Sequence, residues 1–289
     1  RCGCETTHSI ASRTGMKLKV LTSILIITCL LALCSCKKVV ESPSNLIVVS
    51  IYPYELLFKQ IVGPEIEVRT LIPPNFSPHT YNPSPAELKS LYDADLVFSN
   101  GYGLETNIQT ALNALGEKHL TAEQLLQLPQ KEDNPNPHIW LSPRLIKKLV
   151  SELEEPLQRT FPSYKDSISY HCRELISQFS SLDSLIIQER TQFSHTPIIT
   201  YHDSFHYFIQ DYQLDYLGSI QSSPGQEPTP KELLYLGDLI KANQVKAIFV
   251  EPQMDRKSAN VLAKEFHLQV IELDPLGQTL NAQSLPEVI

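Results

Sequence analysis

The chain has 289 residues, 42% of them hydrophobic and 19% charged, a balance that suffices for a globular core in one or two domains. Its net charge of −8 and the lack of a lysine and arginine cluster exclude binding of nucleic acid through a basic surface. Proline is frequent (21) and glycine is scarce (10), which indicates many short connections between regular elements.

The first 35 residues are typical of a leader that contains a secretory signal. Met16 precedes two lysines and the apolar run 18–33, which at about 16 residues is shorter than the roughly 20 that a membrane-spanning helix needs. The run ends in Leu33-Cys34-Ser35-Cys36, which is similar to a bacterial lipobox. We therefore predict cleavage before Cys36 and attachment of lipid to it, with residues 36–45 as a tether and a plain signal peptide as the alternative.

Residues 46–141 alternate between strand and helix patterns, which predicts a first α/β lobe built on a parallel sheet. Strands are predicted at 46–50, 68–72 and 96–99, and helices at 54–62, after Ser84 and at 104–115. Ser84 is followed by Pro85 and Glu87, the residues of a capping box with proline in the first helical turn.

Residues 142–193 predict two linking helices, the first from Ser142 to about Phe161 and the second from about Ser163 to Phe193. The second carries apolar residues at alternating steps of four and three between Ile168 and Ile186, which places them on one helical face. About 30 residues with a rise of 1.5 Å each span roughly 45 Å, so we expect a rigid strut between two lobes.

Residues 194–289 return to the strand and helix alternation and predict a second α/β lobe. Strands are predicted at 198–200, 216–219, 247–251 and 270–273, and helices at 203–212, 231–242 and 258–266. The predicted fold is therefore two parallel-sheet α/β lobes joined by a long rigid helix, with a ligand site in the cleft between the lobes.

Four polar side chains follow or lie near the carboxyl ends of predicted elements: His79, His138, His202 and Asp274. The carboxyl edge of an open α/β sheet is where ligands bind. Three imidazoles and one carboxylate suit a tetrahedral Zn²⁺ site. A single histidine is more often a surface or hydrogen-bonded residue, and Asp274 before Pro275 also fits a turn, so these residues alone leave both interpretations open.

The segments around these residues resemble the solute-binding lipoproteins of zinc and manganese ABC importers, a family once labelled adhesins. Order and spacing agree over roughly residues 46–280. The segments are Pro78-His79-Thr80-Tyr81-Asn82-Pro83, Pro137-His138-Ile139-Trp140, His202-Asp203-Ser204-Phe205 and Asp274-Pro275-Leu276-Gly277.

The resemblance implies a metal receptor that is not an enzyme, with His79, His138, His202 and Asp274 as ligands and Glu251 behind them as a supporting group or a contact between lobes. It implies delivery of the ion to an ABC permease by a monomer held at the membrane through Cys36, in the periplasm or at the cell surface. Three histidines favour zinc as the cargo, with manganese or iron as alternatives.

The sequence also departs from the family pattern. Ser77 stands where an acidic residue is usual, His206 replaces a frequent glycine, and residues 116–134 hold only His119 where zinc-type members often carry a His-rich loop. The family continues with a terminal helix beyond the position of Ile289, so we expect truncation or loss of that helix.

Three rival functions follow from the same residues. A secreted metal-dependent hydrolase would need an open coordination position and a general base, for which Glu251 is the candidate. A metal-free adhesion lipoprotein would not explain why the four segments occur together and in this order. A receptor for an organic solute would need aromatic and arginine contacts rather than histidines.

Overall fold

The computed structural model describes residues 45–129, 135–192, 195–221 and 225–289. The predicted leader, the cleavage site and the lipidated Cys36 lie outside these residues. Within the described part of the chain, no helix is both long enough and apolar enough to cross a membrane.

The first sheet has four parallel strands in the order β2-β1-β3-β4. The strands are β1 (Leu46–Val49), β2 (Glu67–Thr70), β3 (Leu96–Ser99) and β4 (His119–Thr121). Every residue of β1 and β3 is buried, which explains their unbroken apolar runs. The sequence predicts three of these strands and misses β4, because three residues are too few to show a periodic pattern.

Four helices flank the first sheet: α1 (Tyr52–Val62), α2 (Pro85–Asp93), α3 (Gln109–Asn113) and α4 (Ala122–Leu126). The predicted capping box is confirmed, since Ser84 accepts from the backbone N–H of Glu87 and the Glu87 carboxylate accepts from the backbone N–H of Ser84. The helix predicted at 104–115 is confirmed only in part, because Thr106–Ile108 forms a 3₁₀ turn and only Gln109–Asn113 is α-helical. Glu105 accepts from the N–H groups of Asn100 and Gly101, so its side chain closes a turn where that helix would begin.

The linking segment forms α5 (Pro143–Thr160) and α6 (Lys165–Glu189), joined by a short turn and packed on each other. The 25 residues of α6 span about 37 Å, less than predicted, because Pro162–Tyr164 and Arg190–Gln192 form 3₁₀ turns at its two ends. The apolar face of α6 from Ile168 to Phe179 is buried in the same core as the first sheet. The strut is therefore anchored on the first lobe.

The second sheet repeats the order of the first, as β6-β5-β7-β8, and is also fully parallel. Its strands are β5 (Ile198–Thr200), β6 (Tyr216–Ser219), β7 (Ala247–Val250) and β8 (Gln269–Glu272), and its helices are α7 (His206–Tyr212), α8 (Pro230–Asn243) and α9 (Lys257–Phe266). The predicted architecture of two parallel-sheet α/β lobes joined by a long helix is confirmed. The lobe boundaries at 46–141, 142–193 and 194–289 stay a prediction.

The last described residues leave the second lobe and pack in the core of the first. Leu276, Ala282, Leu285 and Val288 belong to the cluster that also holds the first sheet and the linking helices. The backbone carbonyl of Ala282 accepts from the hydroxyl of Tyr52 at 3.3 Å. This return brings the segment after β8 to the edge of the inter-lobe cleft.

Candidate metal centre

Three histidines from distant parts of the chain converge on one point between the lobes. The Nε2 atom of His138 lies 3.1 Å from Nε2 of His79 and 3.0 Å from Nε2 of His202. Among the described residues, these three form a cluster whose ligand atoms all lie within 4.8 Å of one another. His138 and His202 are each 3% exposed, so the point where they meet is screened from bulk water.

His79 is carried by the loop that joins β2 to α2. The backbone N–H groups of Thr80 and Tyr81 both donate to the carbonyl of Ser77, which closes a turn around His79. The hydroxyl of Tyr81 then donates to Glu87 at 2.7 Å, in the first turn of α2. The loop is thus held on both sides of His79, which fixes the backbone that carries the His79 ring.

His138 ends a proline-rich segment and is held by two asparagines. Its backbone N–H and its Nδ1 both lie within hydrogen-bond distance of Oδ1 of Asn136, at 3.0 and 2.8 Å. Asn100, which follows β3, donates to the carbonyl of Pro137 at 2.9 Å. The 3₁₀ turn Ile139–Leu141 and α5 follow directly, so His138 stands on rigid backbone.

His202 and Glu251 lie where the strand order of the second sheet reverses, just after β5 and β7. Nδ1 of His202 lies 2.5 Å from a carboxylate oxygen of Glu251, and the hydroxyl of Ser204 donates to the same oxygen at 2.9 Å. A carboxylate behind an imidazole fixes its tautomer and raises its strength as a ligand.

The hydrogen bonds behind the rings determine which nitrogen is free. An amide oxygen and a carboxylate oxygen only accept, so Nδ1 of His138 and Nδ1 of His202 both carry the hydrogen. In the uncharged form of both rings, the Nε2 atoms present lone pairs to each other at 3.0 Å. A shared cation resolves the repulsion between these lone pairs.

Burial keeps the rings of His79 and His138 uncharged, in the form that binds metal. Burial, followed by the nearby His202, lowers the pKa of His79 to about 3. Burial, followed by the neighbouring histidines, lowers the pKa of His138 well below its ordinary value. Both rings are therefore neutral near pH 7, which is the form that coordinates a metal.

The spacing suits a small tetrahedral ion. Nitrogen ligands about 2.0–2.1 Å from Zn²⁺ at tetrahedral angles lie roughly 3.3 Å apart. The separations of 3.1 and 3.0 Å around His138 are slightly shorter than that. A shift of a few tenths of an ångström would therefore accommodate the ion.

Asp274 is buried beside this centre but is engaged elsewhere. Its Oδ1 accepts from Nε2 of Gln253 at 2.9 Å and from the N–H of Leu276 at 3.0 Å. Its Oδ2 accepts from the N–H and the hydroxyl of Thr279 at 2.7 and 2.9 Å. The structure thus brings together three of the four residues expected as ligands and holds Asp274 outside the histidine cluster.

Four further residues shape the site, although the sequence did not predict a role for them there. Gln253, Trp140, Met254 and Leu276 line the pocket with the histidines. Nε1 of Trp140 donates to the carbonyl of Pro275 at 2.8 Å, which ties the His138 segment to the chain after β8. The segment Pro137-His138-Ile139-Trp140 contains Trp140, but it does not indicate that the indole contacts the chain after β8.

Comparison with known proteins agrees with this geometry. The sequence profile described as "ZnuA: Zinc-uptake complex component A periplasmic" matches residues 47–287. Zinc-binding lipoprotein AdcA of Streptococcus pneumoniae (strain ATCC BAA-255 / R6) is 28% identical over 279 residues, which cover 90% of this chain and 56% of AdcA. The chain therefore spans about half the length of that relative.

Manganese-binding lipoprotein MntA of Bacillus subtilis (strain 168) is 28% identical over 218 residues, which cover 71% of this chain and 70% of MntA. Among solved structures, one titled "Crystal structure of ZnuA" matches with a TM-score of 0.76 and 30% identity, over 84% of this chain and 95% of that one. A zinc-named and a manganese-named relative are thus equally similar in sequence to this chain.

Proposed function

The chain belongs to the family of periplasmic zinc-uptake components, and on that premise we propose that it captures one divalent transition-metal ion and delivers it to the permease of an ABC importer. Membership confirms the resemblance predicted from the four motifs, and the prediction that the chain is a transport protein and not an enzyme. It does not favour the secreted hydrolase or the metal-free adhesion lipoprotein.

The observation that carries the proposal is the meeting of imidazole nitrogens between the lobes. The Nδ1 atoms of His138 and His202 face oxygens that can only accept, while the Nε2 atoms face each other and His79. We propose these three histidines as ligands and Glu251 as the carboxylate that supports His202. We propose Asp274 as the fourth ligand, which requires it to exchange its bond from Gln253 for the ion.

Zinc is the proposed cargo, since three imidazoles and one carboxylate form a set that Zn²⁺ prefers, and manganese or iron are the alternatives. A shell closed by four protein ligands suits capture rather than catalysis, because a catalytic zinc keeps one position for water. The importer would receive the ion when the two lobes separate and pull the ligands apart.

Membrane attachment is proposed as well. AdcA and MntA are both named lipoproteins, and Cys36 follows a lipobox-like sequence, so we propose lipid on Cys36 and a monomer at the outer side of the membrane. Cys36→Ala should release the protein into the soluble extracytoplasmic fraction. Retention of the variant in the membrane would contradict the anchor.

The binding test is elemental analysis of the purified protein after incubation with zinc, manganese or iron. We expect about one ion per chain, zinc bound most tightly, and its loss in His138→Ala and weakening in Asp274→Asn. His195→Ala, which changes an exposed histidine, is the control and should keep the ion. No stoichiometric metal in the wild-type protein with any of the three ions would overturn the proposal.

A further inference from the structure

Asn136 contacts both His138 and the loop of the second lobe that follows His202. We propose that Asn136 is a positioning residue that selects the metal-binding tautomer of His138 and ties the two lobes together, so that it slows release of the ion. This inference rests on the proposed metal-binding function. The side-chain amide of Asn136 would thus hold His138 on one side of the cleft and the second lobe on the other.

The orientation of the Asn136 amide is determined by two backbone groups. The N–H of His138 can only donate, and it lies 3.0 Å from Oδ1 of Asn136. The carbonyl of Asp203 can only accept, and it lies 2.7 Å from Nδ2 of Asn136. The oxygen therefore faces His138 and the amino group faces the second lobe, and exchanging them would break both bonds.

The same oxygen selects the tautomer of His138. Nδ1 of the ring lies 2.8 Å from Oδ1 of Asn136, which cannot donate, so Nδ1 carries the hydrogen. Nε2 is then the free nitrogen, and it is the atom that faces His79 and His202. Without this acceptor, the neutral His138 ring would populate both tautomers. Only the tautomer with hydrogen on Nδ1 can bind an ion at this point.

The amino group and the backbone of Asn136 form the tie between lobes. Nδ2 of Asn136 donates to the carbonyl of Asp203 and lies 3.2 Å from its carboxylate. The backbone carbonyl of Asn136 accepts from the hydroxyl of Tyr207, in the first turn of α7, at 2.9 Å. All three contacts span the cleft beside His202, so lobe separation breaks them as it pulls His138 away from His202.

Asn100 supports the proline-rich segment before His138 without a hydrogen bond to the His138 ring, so it differs from Asn136. Asn100 also holds the proline-rich segment, through the carbonyl of Pro137, but among the described residues its side chain bonds only to groups of the first lobe, including Gly101. Asn136 is the described residue of this segment whose side chain reaches both His138 and the second lobe. Its loss should therefore affect how long the ion is held rather than whether the segment folds.

Three variants separate the two tasks. Asn136→Ala removes both the acceptor for His138 and the donor to Asp203. Asn136→Asp keeps an acceptor for His138 and serves as a second variant if the alanine variant does not fold. Tyr207→Phe removes one bond of the tie and leaves the partner of His138 in place. Asn243→Ala, which changes an exposed asparagine at the end of α8, is the matched control.

The release rate of zinc is measured by stopped-flow mixing of the zinc-loaded full-length protein with excess EDTA. We expect release about 10- to 100-fold faster in Asn136→Ala, as for loss of a group behind a metal-binding histidine. Release should be about 2- to 10-fold faster in Tyr207→Phe, as for loss of one hydrogen bond. Asn243→Ala should match the wild type.

Nitrogen NMR of the metal-free proteins reports the tautomer of His138. We expect the Nδ1–H form in the wild type, in Asn136→Asp and in Tyr207→Phe, and a mixture in Asn136→Ala. A release rate in Asn136→Ala within twofold of wild type, or an unmixed tautomer, would overturn the inference. So would a variant that binds less zinc but releases it at the normal rate, since that outcome indicates only a structural role.

Failure of the proposed metal binding can be distinguished from failure of the proposed role of Asn136. If the wild-type protein binds no zinc, manganese or iron, both the function and the inference about release are wrong. If the wild type binds zinc and the variants release it normally, only the role of Asn136 is wrong.

Discussion

Replacement of Glu251 by glutamine tests whether the carboxylate behind His202 strengthens the metal site. One carboxylate oxygen accepts from Nδ1 of His202 at 2.5 Å and from the hydroxyl of Ser204 at 2.9 Å. The side chains of His202 and Glu251 are only 4% and 6% exposed. Glutamine keeps the shape and one acceptor oxygen, so Glu251→Gln removes the charge while the hydrogen bonds can remain.

The size of the effect follows from the distance to the ion. The imidazole ring separates the carboxylate oxygen from an ion on Nε2 by roughly 6 Å, at which a unit charge and a divalent ion attract by about 5 kcal/mol at an effective dielectric constant of about 20. Part of this attraction is offset by the cost of holding a buried carboxylate. We expect a net loss of about 1.4–2.8 kcal/mol, which is a 10- to 100-fold weaker affinity.

The assay is a competition titration for zinc against a chromophoric chelator at constant pH and salt concentration. Glu155→Gln is the control, because the Glu155 side chain is 73% exposed and pairs only with Arg159 on the surface of α5. The control should bind zinc within twofold of wild type. The metal-free Glu251→Gln protein should be at least as stable as wild type, because it no longer buries a charge.

The reasoning is refuted if Glu251→Gln binds zinc as tightly as the control. It is also refuted if the affinity falls only in proportion to a loss of folded protein, measured by circular dichroism. Either result would mean that the carboxylate orients His202 without contributing charge to the site.

Three further predictions concern stability. The lowered pKa values of His79 (about 3) and His138 mean that the folded metal-free protein binds fewer protons than the unfolded chain below pH about 6.5. Stability should therefore be fully present above that pH and fall as pH drops towards 3, by up to about 1.4 kcal/mol per pH unit for each histidine. In His79→Gln, the unfolding free energy measured with urea should depend less steeply on pH between pH 7 and 5. An unchanged dependence on pH would contradict the lowered pKa of His79. Trp140→Phe removes the buried hydrogen bond to the carbonyl of Pro275 and should lower the unfolding free energy by about 1–3 kcal/mol. Because the chain has 1 tryptophan, unfolding of this variant is followed by circular dichroism. A loss below about 0.5 kcal/mol would argue against a stabilising bond between Trp140 and Pro275. Gly277→Ala should destabilise by more than about 1 kcal/mol, since Gly277 has φ +75° and an added Cβ would collide with Val288; Gly116→Ala, at φ +58° with open space around it, isolates the backbone strain, and equal losses would exclude the collision.

Local patterns were enough to predict the class of the fold. Strands β1 and β3 are recognisable as apolar runs because both of their faces are buried. The capping box at Ser84 identifies the start of α2 from four consecutive residues. The apolar face of α6 is visible because its period follows from the helix itself. Such signals are contained in a few neighbouring residues, so no knowledge of distant contacts is needed to read them.

The candidate site could be predicted in part for the same reason. His79 and His138 each follow a proline in a loop, and His202 comes two residues after β5, so their positions at the cleft follow from the elements around them. Their mutual distance does not, because it depends on how the linking helices set the two lobes against each other, and His138 and His202 lie 64 residues apart in the chain.

The sequence by itself therefore determined the α/β class, most of the strands and helices, and which histidines could meet. Only the tertiary structure decided that Asp274 is held by Gln253 and Thr279, that residues after Leu276 pack in the first core, and that Asn136 reaches across to Asp203. Periodicity and capping arise from bonds between near neighbours, whereas these contacts join residues whose separation along the chain carries no information about their distance in space.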